Sequence, residues 1–181
     1  MARSRLLLVD GYNVLGAWPE LSKGKPLADA RDALIHRLHD YAGYSGQRVI
    51  LVFDAWQSDR MQRSIEERGP LTVVFTQKGE TADHYIERRC DEYARAVELG
   101  RLEIRVATSD NTEQTVVFGR GAIRISSREL IYEMRQARQD GGQYIRPAVR
   151  SGRSTVLEHL PEAVRSQIEK LRRGKTHGSR T

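Results

Sequence analysis

Cysteine and long apolar runs are scarce in this 181-residue sequence, and each shortage excludes a class of protein. Cys90 is the only cysteine, which excludes an intrachain disulfide and a zinc site made of several cysteines. Because Cys90 lies within a helical pattern, we expect a packed thiol rather than a nucleophile. The scarcity of cysteine favours an intracellular, cytoplasmic protein.

No apolar run reaches the roughly 20 residues that a helix needs to cross a bilayer, so we expect no membrane partner. The first residues, MARSRLLLVD, loosely resemble a signal peptide. Their apolar run ends at Asp10 after four residues, and no small-residue cleavage site follows, so we expect no exported leader. The length and the 39% of hydrophobic residues predict one globular core.

The first 145 residues carry no net charge, since 21 lysines and arginines balance 21 aspartates and glutamates. The whole excess of +6 lies in residues 146–181, which hold nine basic and three acidic residues. A neutral body with a basic tail suggests a polyanionic partner. A tail that only increases solubility would show the same pattern. The charge of the tail alone does not distinguish this explanation from a polyanionic partner.

Short apolar segments alternate with helical patterns along the first 140 residues. The segments RLLLV, RVILVF, LTVVF and LEIRVA are continuous and rich in branched residues, which is typical of strands buried on both faces of a parallel sheet. Helical patterns lie over residues 27–43, with Gly43 as a stop, over 81–100, and from the capping box of Ser126 and Glu129 to about Arg138.

This alternation predicts an α/β fold, a three-layer sandwich around a central, mostly parallel sheet. We expect the domain to span residues 1–140. Residues 141–181 read as a basic linker followed by a short amphipathic C-terminal helix.

Acidic residues stand where the predicted strands end. Asp10 follows the first strand, Asp54 the second and Asp110 the fourth, while Glu80 and Asp83 lie where the third strand leads into a helix. The carboxyl ends of parallel strands share one edge of the sheet, where ligands bind. We therefore expect these acids to converge, with Gly11 allowing a sharp turn and Asn13 supplying an amide.

Clustered carboxylates need a cation or basic partners, because two of them at about 4 Å repel by something like 4 kcal/mol at an effective dielectric of 20. Carboxylate oxygens without clustered histidine or cysteine favour Mg²⁺ or Mn²⁺. Most of these acids can also be explained by a structural role alone. Glu80 and Asp83 suit a helix N-terminus, and Asp54 and Asp110 suit turns or caps. Asp10 is the hardest to explain in that way.

Basic residues are the candidates for RNA contacts, although a solvated surface explains them equally well. They are Arg120, Arg124 and Arg128 in the body and Arg172, Arg173 and Lys175 in the tail.

The same acidic motifs carry a resemblance to a known family. The segments LLVDGYNVLGAWPEL, RVILVFDAW, VVFTQKGETADHYIE and VATSDNTEQTVVFGRGAIRISSRELIYE closely resemble the bacterial YacP-like NYN-domain proteins, within the wider PIN-like nuclease group. The similarity runs from about residue 5 to about 140 and reappears in the tail at IEKLRRGK.

The resemblance implies a PIN-like fold and a Mg²⁺- or Mn²⁺-dependent endoribonuclease that cuts mRNA at the decoding site of translating ribosomes. It implies catalytic roles for Asp10, Asn13, Asp83 and Asp110. The metal would be held by Asp10, Asp83 and Asp110, with Asp54 and Glu80 as supporting acids. The mRNA and the ribosomal RNA are then the expected partners.

Two other functions stay open. The first is an RNA- or ribosome-binding module that keeps the fold without the chemistry. The second is another enzyme on a similar sheet, such as a phosphatase or a phospho-receiver domain. A phosphatase usually has a second acid two residues after the first, where this chain has Tyr12, and a receiver needs an acidic pair and a lysine that are absent here.

Overall fold

The fold is built on one sheet of six strands within the part that the computed structural model describes, residues 3–55, 61–108 and 120–145. The strand order is β3-β4-β2-β1-β5-β6, with β3 antiparallel to β4 and every other pair parallel. The strands are β1 (Ser4–Asp10), β2 (Arg48–Phe53), β3 (Ser64–Arg68), β4 (Leu71–Phe75), β5 (Leu102–Thr108) and β6 (Ile123–Ser126).

The four predicted apolar segments form the inner strands β1, β2, β4 and β5. β1 lies between β2 and β5, and its residues from Leu6 to Val9 are buried. Alternate residues of β1 enter separate cores on the two faces of the sheet. The continuous apolar pattern therefore reflects burial on both faces, as the sequence predicts.

Helices cover both faces and complete the three layers. They are α1 (Gly11–Ala17), α2 (Pro19–Ser22), α3 (Leu27–Ser45), α4 (Ala82–Glu98) and α5 (Ser127–Ile145). Residues of α1, α2, α3 and α5 pack into one core, and residues of α4 pack into the other. The α/β fold with a mostly parallel sheet is confirmed. Among the described residues, no helix has the length and apolar character of a bilayer span.

Two predicted helix ends are wrong. Gly43 was expected to end α3, yet this helix continues to Ser45, and Gly46 caps it with a φ of +65°. A glycine at this left-handed position ends helices without a steric penalty. The helix predicted to end near Arg138 continues as α5 to Ile145.

The capping box at the start of α5 is confirmed by its hydrogen bonds. The Glu129 N–H donates to Ser126 Oγ at 3.1 Å, and the Ser126 N–H donates to the Glu129 carboxylate at 2.6 Å. Each side chain thereby satisfies a backbone donor that the first turn of the helix leaves unpaired.

The single cysteine belongs to the core on the α4 face. Cys90 is buried there, and burial raises the pKa of its thiol to about 11. A thiol that stays protonated at neutral pH is a poor nucleophile, so the predicted packing role is confirmed.

The contacts between residues divide the chain into two units, residues 1–142 and 143–181. Apart from the last turn of α5, the second unit lies outside the described residues. The expected amphipathic C-terminal helix therefore lies outside them too.

Gly11 is required for space rather than for an unusual backbone conformation. It begins α1, and it does not belong to the described glycines with positive φ. A Cβ at this position would lie 2.4 Å from Cε1 and 2.6 Å from Cδ1 of Phe53. Phe53 is fully buried and contacts the rings of Tyr12 and Phe75 at centroid distances of 5.2 and 5.4 Å, so it cannot yield cheaply. Because Phe53 ends β2, α1 can begin next to the end of this strand only if position 11 is glycine.

The substitution Gly11→Ala should lower the free energy of unfolding by about 1–3 kcal/mol, because overpacking displaces a buried ring. Gly16→Ala in the same helix is the matched control. A Cβ there has nothing within 4 Å, so alanine should stabilise by about 0.5–1 kcal/mol through helix propensity. Urea unfolding measures both variants, and a Gly11→Ala protein as stable as Gly16→Ala would contradict the steric argument.

Candidate active site

Three acids from separate parts of the chain line one cavity of about 410 Å³ at the carboxyl edge of the sheet. Asp10 is the last residue of β1, Asp54 directly follows β2, and Asp83 lies in the first turn of α4. The remaining lining residues are Tyr12, Asn13, Leu27 and Ala82. The structure thus brings together four of the residues that the sequence singled out.

Asp10 and Asn13 form a hydrogen-bonded pair at the start of α1. The Asn13 backbone N–H donates to one Asp10 carboxylate oxygen at 3.2 Å, and Asn13 Nδ2 donates to the other at 2.9 Å. Asp10 is therefore the N-cap of α1, and its carboxylate is fixed by both oxygens. The pair explains the spacing of three residues in DGYN, since the amide reaches the carboxylate only from the first turn of the helix.

The Asp10 carboxyl has a pKa raised from 3.8 to about 6. Burial is the largest cause, and the negative charges of Asp83 and Asp54 add to it. Hydrogen bonds from the backbone of Asn13 and Tyr12 act in the opposite direction. The Asp10 carboxyl therefore lies within the electrostatic field of Asp83 and Asp54. A shift of this size corresponds to about 3 kcal/mol of unfavourable free energy at a pH above 6.

Carboxylate oxygens are the donors that the cavity offers, and they suit a hard divalent cation such as Mg²⁺ or Mn²⁺. In residues 3–55, 61–108 and 120–145, however, no three acidic, histidine or cysteine side chains lie close enough together to hold an ion. Asp110, expected as a further ligand, lies outside the described residues. Within the described residues, the acids by themselves therefore do not form a metal site.

Glu80 has arginine partners in the structure. It does not line the acid cavity, and its carboxylate accepts hydrogen bonds from Arg63 at 2.6 and 3.0 Å and from Arg88. Burial alone would raise the pKa of Glu80, but the two guanidinium groups outweigh it and hold the pKa below its usual value. Glu80 is thus an ion-pair bridge between the segment before β3 and α4, where the sequence suggested a supporting metal ligand.

The predicted RNA-binding arginines of the body lie in different surroundings. Arg120 forms an ion pair with Asp91 on α4, and Arg124 is half-buried on β6. Arg128 is exposed and lines a second cavity of about 430 Å³, whose wall includes Tyr12 and Asn13. The second cavity therefore adjoins the acid cavity. The predicted tail contacts Arg172, Arg173 and Lys175 lie outside the described residues.

Two residues of α3 border this region although the sequence did not suggest a functional role for them. Leu27 lines the acid cavity. Arg31, one turn later, donates a hydrogen bond to the Tyr12 hydroxyl at 3.4 Å. The four-residue spacing places both on one side of α3. Nothing in the sequence indicates that this side of α3 meets the end of β1.

The substitution Asp10→Asn should raise the free energy of unfolding of the metal-free protein in EDTA by about 1–3 kcal/mol at neutral pH, because it removes a buried charge. The folded-state pKa is about 6 and the unfolded value about 3.8, so the ionised group costs stability fully above pH 6 and not at all below pH 4. The gain should therefore vanish towards pH 4.

Urea unfolding across this pH range measures the gain. Asp91→Asn is the control, since its carboxyl lies on the exposed side of α4 beside Arg120 and should show no such gain. Equal stability of wild type and Asp10→Asn at pH 7 would contradict a raised pKa at Asp10.

Comparison with known proteins finds matches over most of the chain. The family model described as a YacP-like NYN domain matches residues 7–173. The chain is 40% identical over 171 residues to the Bacillus subtilis (strain 168) protein YacP, which covers 93% of this chain and 97% of that protein.

Crystal structures of Rae1 (YacP) from Bacillus subtilis have a similar fold. One matches with a TM-score of 0.65 at 38% identity, covering 97% of this chain and 99% of that one. A single-substitution mutant of the same protein also matches with a TM-score of 0.65, at 37% identity and covering 92% and 99% of the two chains. The family match spans the β-sheet, the acid cavity and most of the basic tail, and this chain therefore belongs to the YacP-like NYN-domain family.

Proposed function

We propose that this chain is a Mg²⁺- or Mn²⁺-dependent endoribonuclease that hydrolyses phosphodiester bonds of mRNA. The observation that carries the proposal is the convergence of Asp10, Asp54 and Asp83 in one cavity. The pKa of the Asp10 carboxyl is raised there, mainly by burial and further by the charges of the other two acids. The family has a nuclease-type fold, which favours this chemistry. We also propose that cleavage takes place in translating ribosomes in the cytoplasm. This part of the proposal rests only on the resemblance of the motifs to the family.

The residues of the cavity fit a hard cation, since their donors are oxygen atoms. Asp10 and Asp83 would hold it, together with Asp110 and with Asp54 in support. When bound, the ion lowers the pKa of a water molecule and neutralises charge on the reacting phosphate. Asn13 fixes the orientation of the Asp10 carboxylate through two hydrogen bonds, so the carboxylate does not have to reorganise during the reaction.

The adjoining cavity gives the RNA a path. Tyr12 and Asn13 line both cavities, so a strand whose phosphate lies at the acids extends over Tyr12 towards Arg128. Arg128 would bind a flanking phosphate, and Arg120 and Arg124 would contribute positive charge farther away. The tail residues Arg172, Arg173 and Lys175 would contact ribosomal or messenger RNA. Phosphate contacts of this kind position a nucleic acid without reading its sequence.

The second candidate is an RNA- or ribosome-binding module without catalysis. It is favoured by the finding that no three acids of the described residues lie close enough together to hold an ion. The two candidates differ in whether wild type cleaves a translated message at all.

Substituting Asp83→Asn should reduce cleavage of an mRNA under active translation by at least about 100-fold, since it removes a ligand of the ion that stabilises the transition state. Mapping the cut ends for wild type and variant measures the loss. Asp91→Asn is the matched control, because it removes another α4 carboxylate outside the acid cavity and should cleave normally.

Full activity of Asp83→Asn, with EDTA harmless to wild type, would remove the metal-dependent mechanism at these acids. Salt-dependent RNA binding by a wild type that cuts no translated message would favour the binding module.

Mg²⁺ or Mn²⁺ should stabilise the folded protein by about 1–3 kcal/mol when the ion is present at 10 to 100 times its dissociation constant. Thermal unfolding with the ion and with EDTA measures this effect. The stabilisation should be largely lost in Asp10→Asn and in Asp83→Asn and kept in Asp91→Asn. An identical melting temperature of wild type with ion and with EDTA would contradict the metal site.

A further inference from the structure

Arg31 is held beside the acid cavity by aromatic side chains. Its guanidinium lies 5.7 Å from the centre of the Phe75 ring and donates to the Tyr12 hydroxyl at 3.4 Å. Phe75 in turn stacks on the buried ring of Phe53, so the support below the guanidinium belongs to the core. These contacts restrict the long side chain of Arg31 before any ligand arrives.

The positive charge of Arg31 is not neutralised within the described chain. The hydrogen bond to Tyr12 and the contact with Phe75 account for the interactions of its guanidinium with residues 3–55, 61–108 and 120–145, and neither partner is an acid. A guanidinium has five N–H donors, and the Tyr12 hydroxyl takes one of them. The aromatic face orients the cation without cancelling its charge.

The location of Arg31 points to the same ligand as the acids. Leu27, one turn earlier on α3, lines the acid cavity, and Tyr12 lines both cavities. Phe75 is the last residue of β4, so Arg31 lies at the carboxyl edge of the sheet, where β1 and β2 deliver Asp10 and Asp54. The planar guanidinium of Arg31 has several N–H donors and is therefore suited to bind the oxygens of a phosphate at this edge.

We propose that Arg31 binds a backbone phosphate of the RNA at the rim of the acid cavity, with Tyr12 and Phe75 holding its guanidinium ready. The proposal rests on RNA as the substrate of the proposed function. It adds a binding residue on α3 to Arg128, which lines the adjoining cavity. Arg31 and Arg128 would then both supply positive charge near the acids, which otherwise repel the phosphates of the RNA.

The test is RNA binding without cleavage, in the Asp83→Asn background with EDTA. A fluorescently labelled oligouridylate serves as the probe, and its affinity is measured over a range of KCl concentrations. Arg31→Gln should weaken binding about 5- to 10-fold at low salt and reduce the slope of log K against log salt by about 0.7, the value for one lost contact to single-stranded RNA. Arg31→Lys should keep most of the slope, because it keeps the charge.

Arg37→Gln is the matched control. Arg37 lies on the same helix, is also half-buried, and also lies over an aromatic ring, with its guanidinium 5.9 Å from the centre of Trp18. It lines neither cavity. Both glutamine variants lose a cation–π contact, so their melting temperatures should fall by similar small amounts. The salt slope should change only in Arg31→Gln.

An unchanged slope in Arg31→Gln, an equal change in Arg37→Gln, or no binding of the probe by the parent would overturn the inference. A changed slope in Arg31→Gln, together with a wild type that cuts no translated message, would leave the phosphate contact standing and remove only the nuclease proposal.

Discussion

A negative charge buried at the end of the central strand is the constraint on which the site depends. Asp10 belongs to β1, which lies between β2 and β5, and the two apolar cores enclose the strand from both faces. Its carboxylate cannot move into solvent without breaking the two hydrogen bonds from Asn13. The rigidity of the sheet thus holds a carboxyl group where ionisation is unfavourable, and its pKa is raised to about 6.

Aromatic contacts connect the rigid core to the residues at the edge of the acid cavity. Phe53 fills the space that a side chain at position 11 would need, and it contacts both Tyr12 and Phe75. Tyr12 lines both cavities, and the guanidinium of Arg31 lies over the Phe75 ring. A change in the core at Phe53 would therefore shift the α1 and α3 sides of the site together, which links stability to the geometry of binding.

The features that could be predicted from the sequence are those that depend on the burial of strands and on their order along the chain. Four continuous apolar runs revealed the inner strands, and the acids at their ends could be assigned to one edge because parallel strands share a direction. The sequence did not reveal β3, an edge strand of charged residues, or α1 and α2, which are too short for a periodic pattern. The arginine partners of Glu80 and the place of Arg31 over Phe75 were hidden too, because they depend on how distant segments pack.

The partly or fully buried acids of this chain differ in their partners. Among the described residues, two glutamates are paired with arginines, whereas Asp10 is not, and this contrast indicates different roles. Glu80 is held by Arg63 and Arg88, and Glu133 by Arg105 and the Tyr41 hydroxyl. Burial raises the pKa of both glutamates, but these partners outweigh it, so both pKa values lie below the usual range.

Asp10 has the opposite shift, and Arg31 at the same edge of the sheet contacts the Phe75 ring and the Tyr12 hydroxyl. At Glu80 and at Glu133 the chain neutralises a partly buried acid by placing a guanidinium on it. An acid with a raised pKa beside two further carboxylates fits the divalent cation of the proposed function, which would bind and leave with the substrate.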